Sequence, residues 1–250
     1  MYKLPKFSKL PGLLHAFSDK SDGNMAVRFG QAEEVYQNRE NFLKELGTEG
    51  RRAVLMEIQH GTDIVFVDEG DGGKGVLPDV AGYKADALIA AEDGIFPFLL
   101  IGDCLPIVVY DPKMKVLGLA HLGWRNTDKR FIQLVIEKMK KECGTNPPDL
   151  FIGIGPAIHK GSYLLSGAEI AERKLDWPGF INPVVKNKFG LDLVGYNLAQ
   201  IKEMGVVSGR IEMSRIDTAA SKKYFSHYRS ARNIGEKEGR IAAVAGMVWE

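Results

Sequence analysis

The sequence predicts an α+β fold, a single-domain layered sandwich of mixed β-sheets flanked by helices and spanning residues 1–250. Three observations predict it. Segments of period-3.6 hydrophobicity mix with short apolar runs, without the regular strand–helix–strand rhythm of a doubly wound sheet. Two consecutive runs are joined by Asp111-Pro112-Lys113-Met114, where proline suits the second position of a tight turn. No internal repeat, low-complexity block or Pro/Ser-rich linker divides the chain.

Along the chain, Glu33–Leu46 reads as a helix that stops at Gly47, a residue suited to the left-handed conformation after a last turn. Ala53–Ile58 and Ile64–Val67 read as strands. The glycine-rich, acidic stretch Asp68–Gly82 reads as a long surface loop. Phe98–Ile101, Ile107–Tyr110 and Val116–Ala120 follow as strands. Asp128–Cys143 is a helix with Phe131, Ile132, Val135, Ile136 and Met139 on one side and Gly144 at its end. Leu150–Ile154 is a strand, and Asn197–Met204 a helix stopped by Gly205. Gly209–Met213 and Ile241–Val248 are expected as a strand pair.

Composition bounds the function. Lys plus Arg number 33 against 32 for Asp plus Glu, a net charge of +1, which argues against a broad nucleic-acid surface or a membrane-hugging patch. There is no apolar leader at the N-terminus and no run of eighteen apolar residues, so the expectation is a cytoplasmic protein with no membrane partner. Two cysteines, Cys104 and Cys143, do not make a disulfide scaffold.

Phe98–Arg130 carries the chemistry. If the hairpin is symmetric about the Pro112–Lys113 bond, partner numbers sum to 225 and Cys104 lies opposite His121. Opposed Cβ atoms are about 4.5–5.5 Å apart, within range of a thiolate–imidazole contact or a shared metal. Both residues sit where strands give way to loops. His60, after the strand Ala53–Ile58, is a third candidate, and a thiolate with two imidazoles is a normal zinc set that leaves a position for water. The three are 44 and 17 residues apart, which matches no local zinc signature. Taken singly, Cys104 is equally readable as a small buried hydrophobe. Gly123-Trp124-Arg125-Asn126, running into a helix, and Gly153-Ile154-Gly155-Pro156, after a strand, suit anion or carbonyl recognition, or else a plain cap and a plain turn. No Gly-x-Ser-x-Gly elbow, His-Glu-x-x-His, Walker or zinc-deaminase signature occurs.

His60-Gly61, Ala85-Asp86-Ala87-Leu88-Ile89, Gly102-Asp103-Cys104-Leu105-Pro106, Ala120-His121-Leu122-Gly123-Trp124-Arg125 and Gly153-Ile154-Gly155-Pro156 come in one order. With Asn38-Arg39, Asp192, Asn197, Gln200, Tyr224-Phe225-Ser226 and Gly239-Arg240, they resemble the laccase-domain family, also called the YfiH or peptidoglycan editing factor family, over nearly the whole chain. The resemblance implies a YfiH-like fold related to cysteine hydrolases, with His60, Cys104 and His121 both catalytic and ligands of Zn²⁺ rather than copper. It implies phosphorolysis of purine nucleosides (adenosine, inosine, guanosine, methylthioadenosine), with adenosine deamination as a second activity. The expected partners are purine nucleosides and phosphate, with no nucleic acid. Arg125, Lys20 and Arg229 are the expected phosphate-holding cations, and Asn38 and Gly155 complete the expected substrate set.

The sequence departs from the family at Lys20, where an arginine is usual and the bidentate fork for phosphate is lost. It departs again at Asn126, usually glycine, and at Asp217-Thr218, usually Cys-Thr. Three other readings are a metal-free cysteine hydrolase or deamidase using Cys104 and His121, a copper-dependent polyphenol oxidase, and a peptidoglycan-precursor editing or binding protein with a structural zinc. The last needs a fourth ligand, for which Asp103 and Asp86 are the nearest candidates in sequence.

Overall fold

The computed structural model describes residues 1–232 and 236–249. In chain order its elements are β1 Leu13–Phe17, α1 Ala32–Leu46, β2 Ala53–Glu57, β3 Ile64–Val67, β4 Tyr83–Lys84, β5 Ala87–Ala90, β6 Phe96–Ile101, β7 Leu105–Asp111 and β8 Val116–Leu122. There follow α2 Trp124–Asp128, α3 Phe131–Cys143, β9 Phe151–Ile154, β10 Leu164–Ser166, α4 Gly167–Arg173, β11 Ile181–Val185 and β12 Lys188–Leu191. The chain closes with α5 Leu193–Glu203, β13 Ile211–Met213, α6 His227–Ser230 and β14 Ile241–Met247. One sheet has the order β1-β14-β6-β2-β4, a second the order β13-β9-β7-β8-β5-β3, and a small third sheet the order β10-β12-β11. The mixed α+β class is as expected.

Three apolar clusters show how the layers stack. Between the two large sheets lie Phe17, Val54, Met56 and Leu99 from one side and Leu88, Val108, Tyr110 and Leu119 from the other. The opposite face of the six-stranded sheet, through Ile107, Val109 and Ala120, packs on Phe131, Val135, Ile136 and Met139 of α3 and Ile201 of α5. The outer face of the five-stranded sheet, through Leu55, Phe96, Phe98 and Val244, packs on Phe42, Leu43 and Leu46 of α1. The result is a helix–sheet–sheet–helix sandwich. Both faces of β7 are buried along its whole length, so it reads as a continuous apolar run, and its period of two appears only in which layer each residue joins.

Four expectations are corrected. The helix expected over Asp128–Cys143 starts at Phe131, because Arg130 adopts φ +57° and separates α3 from the short α2 that precedes it. Gly209–Met213 and Ile241–Val248 do not pair: β13 runs parallel to β9, while β14 lies antiparallel between β1 and β6. The Asn197 helix begins earlier, at Leu193, with the Asp192 side chain accepting from Gly195 N–H at 2.8 Å. The stretch 68–82 is more than a surface loop. Gly73 N–H donates to Ala53 and Leu55 N–H donates to Lys74, so the segment covers the edge of β2, and its Val76 is buried. Among the described residues, no helix is long and apolar enough to cross a membrane.

Candidate metal centre and cleft

His60 follows the end of β2, in the five-stranded sheet, and His121 lies on β8, in the six-stranded one. Cys104 sits in the short connection from β6 to β7, which joins the two sheets. The side chains meet where the sheets' ends converge: one ligand atom from each of His60, Cys104 and His121 lies within 4.8 Å of the others. The two imidazoles stand edge to face, with centroids 5.1 Å apart.

The hairpin register differs from the expected one. Asp111 pairs with Val116 around a four-residue loop in which Lys115 is left-handed (φ +53°), so partner numbers sum to 227. His121 therefore faces Pro106, and Cys104 falls across from Gly123. A shift of two keeps every side chain on its expected face, and Cys104 and His121 still meet as diagonal neighbours. Gly123 packs tightly against the cluster: a Cβ on it would lie 3.1 Å from Cys104 Sγ, so the thiol would have to shift by a few tenths of an ångström, and 3.5 Å from His60 Cδ2.

Asp86, fully buried just before β5, binds both histidine segments. Its Oδ1 accepts from His121 Nδ1 at 2.8 Å and from His60 N–H at 3.0 Å, and its Oδ2 accepts from Gly61 N–H at 2.7 Å. Burial raises its pKa, but these donors outweigh burial and hold the carboxyl below its ordinary range. Burial alone would keep Cys104 a thiol and His121 neutral. Their mutual attraction prevails, helped by Asp86 on the imidazole and His60 on the thiolate, so the Cys104 thiol is drawn down to about 6 and His121 is raised to about 9. Without a metal, this mutual attraction favours a thiolate beside an imidazolium.

The donor set fits a zinc-type ion. It offers one thiolate and two imidazoles, and Asp86 occupies Nδ1 of His121 so that Nε2 is turned to the cluster. Neither acidic candidate supplies a fourth ligand. Asp86 is committed as described, and the Asp103 carboxylate accepts from Thr218 Oγ1 (2.7 Å), Ser226 Oγ (3.0 Å) and Tyr228 N–H (2.6 Å). Among the described residues the cluster has three protein donors, which leaves a coordination position open.

Above the cluster opens a cleft of about 830 Å³, large enough for a nucleoside and phosphate. Of the expected anion-binding residues, only Arg125 lines it, with its guanidinium 4.5 Å from the Trp124 ring centroid. Lys20 lies outside the cleft lining, 3.4 Å from Glu236. Arg229 is also outside it and is committed to structure, donating to Glu236 and to the carbonyls of Thr218, Ala219, Ser221 and Tyr224. Asn38, on α1, donates to Asn24 O at 3.1 Å. Gly155 lets the Phe17 ring approach, since a Cβ there would come within 2.2 Å of it.

Sequence reasoning missed Arg28, Arg173 and Arg232 on the cleft wall, and gave Arg240, also on that wall, no role beyond the Gly239-Arg240 motif. Arg173 and Arg232 flank Glu169, at 3.9 and 3.5 Å, and Arg240 pairs with Glu238 at 3.0 Å. Arg28 and Arg125 have no carboxylate within 4.0 Å among the described residues. His227 also lines the cleft, with Nδ1 2.8 Å from Glu238, and Tyr163 and Tyr228 add aromatic faces. The Glu169/Arg173 spacing of four is a legible helix signal for α4 and Arg240 belongs to the Gly239-Arg240 motif, but nothing local marked Arg28 or Arg232. Asn126 has a structural explanation. Its side chain accepts from Gly123 N–H and donates to His121 O, both at 2.8 Å, tying down the turn that follows the His121 ligand.

Residues 17–248 match the family described as multi-copper polyphenol oxidoreductase laccase. The chain is 29% identical to the purine nucleoside phosphorylase YlmD of Bacillus subtilis over 218 residues, covering 86% of this chain and 77% of that protein. It is 36% identical to a purine nucleoside phosphorylase of Bacteroides thetaiotaomicron over 167 residues, 64% of this chain and 59% of that one. The crystal structure of YlmD from Geobacillus stearothermophilus superposes with a TM-score of 0.86 at 26% identity, covering 98% of this chain and 94% of that one. The hypothetical protein YfiH of Bacillus licheniformis gives 0.85 at 25% identity, covering 94% and 92%.

Proposed function

Because this chain belongs to the multi-copper polyphenol oxidoreductase laccase family, we propose that it is a zinc-dependent purine nucleoside phosphorylase. It converts adenosine, inosine, guanosine and methylthioadenosine with phosphate into free base and ribose 1-phosphate, and deaminates adenosine as a second activity. The observation that carries this reading is an open His60–Cys104–His121 donor set on the wall of a cleft that also bears arginines and aromatic rings. Relatives named purine nucleoside phosphorylase supply the substrate class.

A zinc ion held by these three residues would supply Lewis acidity to the cleft. The protein's own groups do the rest. Arg28 and Arg125, the two cleft guanidiniums without a carboxylate partner among the described residues, bind and orient phosphate, one of whose oxygens attacks ribose C1′. Trp124, Tyr163 and Tyr228 offer flat faces to the purine. As the C1′–N9 bond breaks, its electron pair moves into the base, and His227, oriented by Glu238, delivers a proton to the purine N7. Two free cysteines suit a reducing compartment, and we place the enzyme in the cytoplasm.

One observation favours a second reading, a metal-free cysteine hydrolase: Cys104 and His121 lie together at the cleft floor, and their mutual attraction lowers the thiol and raises the imidazole, as a nucleophilic pair requires. A mononuclear cluster in a chain with five histidines, of which His15 and His227 are engaged by Leu4 and Glu238, does not favour multicopper chemistry. Protein purified without a metal-affinity tag, assayed by elemental mass spectrometry and chromatography of nucleosides with and without phosphate, separates the readings. The expected result is about one zinc per chain, with base formed only when phosphate is present and lost in Cys104→Ala. Activity that survives chelation and stripping of metal but dies on thiol alkylation overturns it in favour of the hydrolase.

A further inference from the structure

We propose that Asp86 is the positioning residue of the metal centre, the single carboxylate that assembles ligands from the two sheets and fixes the tautomer of one of them. The inference rests on the reading of His60, Cys104 and His121 as metal ligands.

The geometry divides the work between the two oxygens. Oδ1 takes His60 N–H at 3.0 Å and His121 Nδ1 at 2.8 Å; Oδ2 takes Gly61 N–H at 2.7 Å and Gln59 N–H at 3.3 Å. The peptides 59–61 belong to the turn after β2, in the five-stranded sheet, whereas His121 is on β8 and Asp86 adjoins β5, in the six-stranded sheet. His60 itself is held at φ +57°, a conformation that side chains rarely adopt and that needs outside support. Asp86 is fully buried and meets only donors, so water does not substitute for it.

A carboxylate can do this and an amide cannot. In Asp86→Asn one oxygen becomes an NH₂ group. If it replaces Oδ1, it confronts His60 N–H and forces His121 to present a bare Nδ1, moving the imidazole proton to Nε2, the atom turned toward the cluster. If it replaces Oδ2, it confronts Gly61 and Gln59 N–H and releases the His60 turn. Either orientation disables one histidine.

The test is zinc affinity of metal-free wild-type and Asp86→Asn protein by chelator competition, with circular dichroism confirming the fold. The expected result is a fall in affinity of roughly 10- to 100-fold. A second readout needs no variant: long-range ¹H–¹⁵N correlation of the imidazoles in zinc-loaded wild type, expected to show His121 protonated at Nδ1 and bound to zinc through Nε2. Unchanged affinity in a folded Asp86→Asn, or ligation through Nδ1, overturns the assignment while leaving the metal reading standing. A wild type with no zinc affinity overturns both.

Discussion

His227 shows how one side chain separates a catalytic step from the architecture around it. Its Nδ1 is 2.8 Å from Glu238, which also accepts from Arg240, and the imidazole faces the cleft that holds the His60–Cys104–His121 cluster. If His227 protonates the departing base, then His227→Gln should lower inosine turnover by about 100-fold, the low end for general acid catalysis. It should spare 7-methylguanosine, whose base already carries a positive charge and leaves without a proton. Parallel steady-state assays decide the matter, and an equal loss on both nucleosides would assign His227 to binding or folding. At this scale the sequence was half legible. The three residues that meet in the cluster were named, because Cys and His at strand ends are few and chemically distinctive. Of the cleft arginines Arg125 was found, and Arg240 was seen only as part of the Gly239-Arg240 motif; Arg28, Arg173 and Arg232 come from three separated segments, and an arginine on a cleft wall has the same local sequence as one in solvent. Arg229 looked equally suitable and is consumed by carbonyl oxygens and Glu236.

At the scale of elements, the turn from β8 into α2 decides how firmly His121 is held. Gly123 N–H and His121 O have their partner in the Asn126 side chain, which is fully buried. Asn126→Ala leaves a buried donor and a buried acceptor unmet. The expected destabilisation is about 1–3 kcal/mol, read from urea unfolding of the metal-free protein; a change within error would mean that this turn is held from elsewhere. The break between α2 and α3 was illegible because Arg130 adopts a left-handed conformation that sequence assigns to glycine or asparagine. The hairpin register failed by two for a related reason, since left-handed Lys115 extends the turn. Its amphipathic helix and strand runs were otherwise placed to within a few residues. The strands β1, β4, β5 and β10–β12 went unseen, as two to five residues carry too little pattern to show a period.

For the whole molecule, the two-sheet sandwich explains both the site and a specific acid sensitivity. The sequence showed strands but not which strands share a sheet, because both large sheets are covered on both faces and the apolar runs look alike. His15 of β1 is 2% exposed, and its Nε2 accepts from Leu4 N–H at 2.9 Å, which demands the neutral imidazole. Burial, with a smaller push from Lys3, lowers its pKa from 6.5 to about 4. The unfolded chain therefore takes up this proton first, so the stabilisation is complete above pH 6.5 and is lost as pH falls toward 4. Between pH 7 and 5 the His15 contribution should fall by about 2 kcal/mol. Urea titrations of wild type and His15→Gln at the two pH values check this, the variant being expected to lose less; parallel losses would contradict it.

The proposed reaction joins phosphate to a ribose in this cleft as the purine leaves. The most direct measurement is ³¹P NMR of the zinc-loaded protein with inosine and inorganic phosphate, with hypoxanthine quantified from the same tube. One ribose 1-phosphate for each hypoxanthine, and neither without phosphate, is the predicted result. Hypoxanthine accompanied by free ribose, or no hypoxanthine at all, would contradict it.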